Sequence, residues 1–65
     1  MPKYQRRHYE DVAKIFRESW WGATLNGKHS SAYDNWELIR DGFVKLFEQD
    51  NPNFNRDRFI KATEG

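Results

Sequence analysis

The chain contains no cysteine, only two prolines among 65 residues, and no long apolar run; its apolar residues come singly or in pairs. Without cysteine there is no disulfide or thiolate metal site to reinforce the fold, and nothing marks an oxidising compartment. The missing apolar run excludes a transmembrane span and a signal-peptide core, although Met1-Pro2-Lys3 opens with a basic residue, so the expected location is the cytoplasm. Eleven Lys and Arg against ten Asp and Glu leave a net charge of +1. That balance gives no global attraction to nucleic acid or to a membrane. Val, Ile and Leu are too few for a β-sandwich. Aromatics take their place, with three Trp, three Tyr and five Phe, which bring a large area per residue and few rotamers to freeze.

A chain of this length is read as one domain over residues 1–65, burying only about 60% of the surface its unfolded form exposes. Charge is unevenly placed along it. Residues 1–8 carry Lys3, Arg6 and Arg7 and no acid, whereas 34–50 carry Asp34, Glu37, Asp41, Glu48 and Asp50 against Arg40 and Lys45.

The hydrophobic period predicts three helices and an all-α class. From about Gln5 to Trp21, Tyr9, Val12, Ala13, Phe16 and Trp20 recur three and four residues apart, the spacing of one helical face. Arg6, Arg7, Glu10, Asp11, Lys14, Arg17 and Glu18 make the solvated side, with Glu10 to Lys14 in the favourable i,i+4 order. Gly22 reads as a left-handed helix end, and Asn26-Gly27 marks a loop over residues 23–31. A hairpin there is disfavoured because its flanks are short and polar. Ser31 with Asp34 reads as the cap of a second helix, with Asp34 and Glu37 in its first turn. Its expected buried face is Ala32, Trp36, Ile39, Phe43, Leu46 and Phe47, widened by Leu38 and Val44. Gly42 inside this helix costs about 1 kcal/mol relative to alanine, and close packing against an aromatic of the first helix is the expected reason. Pro52 stops the second helix near Asp50. Asn55 then caps a short third helix, about 56–63, and places Phe54 and Phe59 at the two positions of a hydrophobic staple. Two turns do not persist alone in water, so Phe59, Ile60 or Ala62 must dock on the other helices.

The stretch Phe43-Val44-Lys45-Leu46-Phe47-Glu48-Gln49-Asp50-Asn51-Pro52-Asn53-Phe54-Asn55-Arg56-Asp57-Arg58-Phe59-Ile60-Lys61-Ala62 resembles the C-terminal part of a group of short proteins encoded by bacteriophages and prophages. Those proteins carry a Leu-Phe helix end, an Asp-Asn-Pro turn, a phenylalanine, a cap residue and an Arg-Phe helix. The early Arg7-His8-Tyr9 before an amphipathic helix is similar too, whereas residues 20–35 have no counterpart. Many members have Asp where this chain has Asn55, and both residues cap. Their function is unassigned, so the resemblance implies a small phage accessory protein and no catalytic residue.

The residues point to binding rather than catalysis. His8 and His29 lie in different segments without acids at ligand spacing, so no metal or other cofactor is expected. Asp34 and Glu37 are explained by the helix dipole rather than by acid–base chemistry. Neither a phosphate loop nor an activated nucleophile is present. Adjacent Trp20 and Trp21 point about 100° apart on a helix, so both cannot enter one narrow core. Trp20, Trp21 and the loop residue Leu25 are therefore the expected contact surface for a host or phage protein. The second reading is a DNA-binding accessory factor, with Lys3, Arg6 and Arg7 as a basic arm, Arg56, Arg58 and Lys61 on the third helix, and a helix-turn-helix outline. Against it stands ion pairing of the third helix with the acids of the second. Self-association, which would enlarge a small core, is the third reading.

Overall fold

A computed structural model describes residues 2–65 and leaves Met1, the first residue of the basic opening noted above, outside the described part. Helix α1 spans Arg6–Thr24, α2 spans Ser31–Asp50 and α3 spans Arg56–Thr63, with no strand among the described residues. The fold is a small all-α domain, elongated to 41 × 17 × 15 Å. No helix among the described residues is long and apolar enough to cross a membrane.

Helix α1 begins after Gln5, whose backbone N–H donates to His8 Nδ1 at 2.8 Å; the histidine thus closes one free donor at the helix start. Glu10 pairs backward with Arg6 at 3.1 Å, not forward with Lys14. The helix does not stop at Trp21. It runs through Gly22 to Thr24 because Ala23 is buried against the aromatic cluster of Phe16, Tyr33 and Trp36, which offsets the cost of a helical glycine. Thr24 Oγ1 donates back to the Trp20 carbonyl at 2.8 Å. The left-handed glycine is Gly27, at φ 89°, in the Asn-Gly dipeptide of a loop shorter than expected.

The cap of α2 is Ser30, one residue before the expected Ser31: its Oγ accepts from Tyr33 N at 3.2 Å. Only Asp34 then lies in the first turn. The buried face is also rotated from the expected one. Tyr33, Trp36, Arg40, Val44 and Phe47 are buried with Phe43 half-buried, whereas Ala32 and Leu46 are exposed, as are Ile39 at 57% and Leu38 at 72%. Helix α2 carries apolar residues around most of its circumference, and only one side can meet α1 and α3. The side with the large rings wins, because each ring removes more area from water than a Leu or Ile. Gly42 shares the exposed side. A Cβ there would meet nothing within 4 Å, so close packing against α1 does not explain this glycine.

The core consists of two aromatic clusters laid end to end. Ala13, Val44, Phe47 and Phe59 form one, and Phe16, Ala23, Tyr33 and Trp36 the other, with Val12 and Phe43 packed against both. Trp36 donates its indole N–H to the Phe16 carbonyl at 3.2 Å. The Arg40 guanidinium lies over the Trp36 ring, 5.2 Å from its centroid, and reaches Asp41 at 3.2 Å and Glu37 and Glu64 at 3.9 Å. A charge only 7% exposed is retained because three carboxylates and a ring face replace its water.

The turn into α3 follows the sequence closely. Asn51 O accepts from Phe54 N at 3.0 Å and Asn51 Oδ1 accepts from Asn53 N at 3.0 Å, an Asx arrangement around Pro52. Asn55 Oδ1 caps Arg58 N at 3.1 Å, and the Phe54 and Phe59 rings meet at 5.6 Å. Phe59 and Thr63 are the buried residues of α3, Ile60 is half-buried and Ala62 is exposed.

Candidate functional site

The two adjacent tryptophans diverge as helix geometry requires. Trp20 turns into the fold: its ring lies 5.2 Å from Trp36 and 6.2 Å from Tyr33, with the Lys28 ammonium 5.4 Å from its centroid. The last residue covers it too, since a Cβ on Gly65 would come within 2.6 Å of Trp20 Cδ1. Trp21 turns outward and is 76% exposed. Leu25, one helical turn further on, is 80% exposed. Of the three residues expected to contact a protein, Trp21 and Leu25 thus share one outward surface at the end of α1, and Trp20 supports it from behind. Beside them a shallow groove between α1 and α3 runs past Glu10, Lys14, Arg17 and Glu18 to Ala62 and Gly65. A large apolar pair rimmed by both charge signs is the composition of a protein contact surface.

The basic residues do not gather into one patch. The Lys3 and Tyr4 backbone amides donate to the two Asp50 oxygens, each at 2.9 Å, so the N-terminal arm is tied to the end of α2. Arg6 pairs with Glu10 at 3.1 Å and Arg56 with Glu48 at 4.0 Å, the latter being the expected pairing between α3 and α2. Arg7, Arg58 and Lys61 are exposed and form no ion pair among the described residues. Arg6 and Arg58 flank a cleft of about 260 Å³ floored by Tyr9, Ala13, Phe54 and Phe59. No group of three potential metal-ligating residues occurs among the described residues.

Asp50 illustrates what sequence reasoning passes over. A carboxylate in the last turn of a helix opposes the dipole, and the compensation is its grip on two amides 46 and 47 residues away in sequence. These hydrogen bonds, first that from Tyr4 and then that from Lys3, hold the Asp50 carboxyl below its ordinary value of 3.8. A depressed folded-state pKa contributes stability that is complete above the unfolded value and is lost as pH falls through the folded one. Thermal stability is therefore expected to decline below about pH 4, and Asp50→Asn should flatten that decline while leaving a lower, pH-independent plateau. Identical acid limbs in melting curves of the two proteins would show that the arm is not held by this carboxylate. At the other end of α2, burial first and the Glu37 side chain second push the Tyr33 hydroxyl up from 10.0, consistent with its place in the second cluster.

Sequence reasoning missed two further features. Arg40 is buried rather than solvated, a position signalled only by its spacing from Trp36 and Phe47. Leu38, Ile39 and Leu46 form an outward stripe, which two overlapping apolar stripes on α2 could have announced. No protein-family model, curated protein or solved structure matches this chain.

Proposed function

We propose that this protein is a small non-catalytic binding module, a phage-type accessory protein that engages a host or phage protein through the Trp21–Leu25 end of α1. One observation carries the reading: two large apolar side chains, 76% and 80% exposed, stand together where neither contributes to the core. Tryptophan is among the residue types most enriched as interface anchors, and a helix end fixed by Ala23 and Trp20 presents it on backbone that is already ordered, which lowers the cost of binding. The phage-type assignment rests on the Asp50-Asn51-Pro52 to Arg58-Phe59 resemblance.

Because Trp21 and Leu25 lie outside the core, Trp21→Ala and Leu25→Ala should keep the wild-type circular dichroism spectrum and melting temperature. Capture of a specific protein from host or infected-cell lysate should fall at least tenfold for each variant. Capture unchanged in both variants, or no specific capture by the wild type, would refute the reading. A second reading is kept because Arg7, Arg58 and Lys61 form no ion pair among the described residues: contact with nucleic acid phosphate. Retention on a DNA column that is lost as salt rises would favour it, and no retention at low salt would remove it.

A further inference from the structure

The cleft between α1 and the turn into α3 has a floor and a rim of different chemistry. Its volume is about 260 Å³, below the roughly 300–1,000 Å³ of sites that take drug-sized ligands, so it admits one ring or one large side chain. The floor is aromatic. The half-buried rings of Tyr9 and Phe54 lie 4.8 Å apart, and Phe54 in turn meets the buried Phe59 at 5.6 Å. A further ring laid on them gains both buried area and edge-to-face contact.

The rim is made of donors. Asn51 and Asn55 each commit the side-chain oxygen to a backbone amide, that of Asn53 and that of Arg58 respectively, so only the amide nitrogen of each is left to offer. That of Asn51 reaches the Tyr9 hydroxyl at 3.4 Å. Glu10 is the one acid of the lining among the described residues, and Arg6 holds it at 3.1 Å. Arg6 and Arg58 against Glu10 leave the lining a net charge of +1, carried by Arg58, which forms no ion pair among the described residues. A single carboxylate balances that charge, whereas a dianionic phosphate leaves an excess.

The cleft also opens into the groove described above, since Glu10, Ala13 and Ala62 line both. A chain attached to a residue seated in the cleft therefore has a path along the α1–α3 seam, past Lys14 and Arg17, toward Trp21. We infer that the cleft takes the C-terminal residue of a partner peptide, with an aromatic side chain on the Tyr9 and Phe54 rings and the free carboxylate on the Arg58 guanidinium fork and the Asn55 amide. This names the part of the partner that the Trp21–Leu25 reading leaves open, and in that respect rests on it. Neither Trp21 nor Leu25 lines the cleft itself, so the two sites are tested separately.

Titrating the ¹⁵N-labelled protein with N-acetylphenylalanine and following amide chemical shifts tests the inference. Shifts should centre on Asn55, Arg58 and Phe59, with a dissociation constant on the order of 1 mM, as suits a ligand of about fifteen non-hydrogen atoms. N-acetylphenylalaninamide, which lacks the carboxylate, should bind at least tenfold more weakly. Arg58→Gln, at an exposed position, should weaken binding of the acid at least tenfold, and Lys61→Gln, on α3 but outside the cleft, should leave it unchanged. Glu10→Gln, which frees Arg6, should tighten it severalfold, a change that a merely structural role would not produce. A pentapeptide ending in phenylalanine should bind at least tenfold more tightly than the single residue, because its preceding residues lie in the groove. Trp21→Ala should leave binding of N-acetylphenylalanine as it is. No shift at the cleft up to about 20 mM overturns the inference and leaves the Trp21 surface untouched. Equal affinity for the acid and the amide overturns it too, as does tighter binding of phenyl phosphate, which would assign Arg58 to phosphate. A pentapeptide no tighter than the single residue overturns the peptide as the source of the carboxylate.

Discussion

Phe47→Ala is expected to abolish the cooperative unfolding transition at room temperature. Phe47 is 1% exposed, and its ring is met by rings from every segment packed on the first cluster. Tyr4 of the N-terminal arm lies at 5.3 Å, Tyr9 of α1 at 4.7 Å, Phe43 of α2 at 5.9 Å, Phe54 of the turn at 5.5 Å and Phe59 of α3 at 5.6 Å. Truncating a buried phenylalanine costs about 3 to 5 kcal/mol. A single core of this size supplies about the same, and the chain has no cysteine to add a disulfide. Five rings cannot all collapse into the space left, because each is held by a different segment of chain. Far-UV circular dichroism and a thermal melt measure the outcome. A sigmoidal transition displaced by only a few degrees would show that the arm and the turn, rather than Phe47, hold this cluster together.

Phe59→Ala should have an effect of the same order, about 3 to 5 kcal/mol, by a different route. Phe59 is 4% exposed, and with Thr63 it is what α3 buries. Eight residues make too short a helix to persist without docking. Losing the ring releases α3 as a whole, and with it the Glu64 carboxylate from Arg40 and Gly65 from the Trp20 ring. The second cluster is thereby weakened from a distance. Phe59→Leu, which keeps most of the volume, should retain a cooperative melt at lower temperature. If Phe59→Ala shifts the melting temperature only slightly, α3 is peripheral and its arginines are free to act elsewhere.

The parts of this fold legible in the sequence are those decided within a few residues. Pro52 excludes helix at Asn51, Asn55 caps Arg58 through its own side chain, and Phe54 and Phe59 staple across one turn; α3 accordingly has the bounds its sequence predicts. Three features were decided by distant contacts and were not legible. Gly22 and Gly27 both offer a helix end, and only the burial of Ala23 against Tyr33 and Trp36 chooses between them. The apolar residues of α2 support two faces, and the choice depends on which rings α1 and α3 present. Asp50 reads as one more acid until the chain start arrives at it. The candidate surface shows the same division. Helix geometry alone requires Trp20 and Trp21 to part, but which of them enters the core depends on Trp36, a loop away on the next helix. The contrast between Arg58, in no ion pair among the described residues, and Arg56, paired to Glu48, is likewise set by how α3 lies on its neighbours.

The parting of the two tryptophans also gives the molecule an optical signature. Trp36, with its indole N–H held by a carbonyl and a guanidinium across its face, emits from a shielded environment, and Trp20 from a half-shielded one. Trp21 emits from water. The native spectrum is therefore a sum in which the long-wavelength component, and the first to be quenched by acrylamide, belongs to Trp21. A protein that covers the end of α1 would move that component to the blue while leaving the other two in place, so the surface carries its own reporter of occupancy.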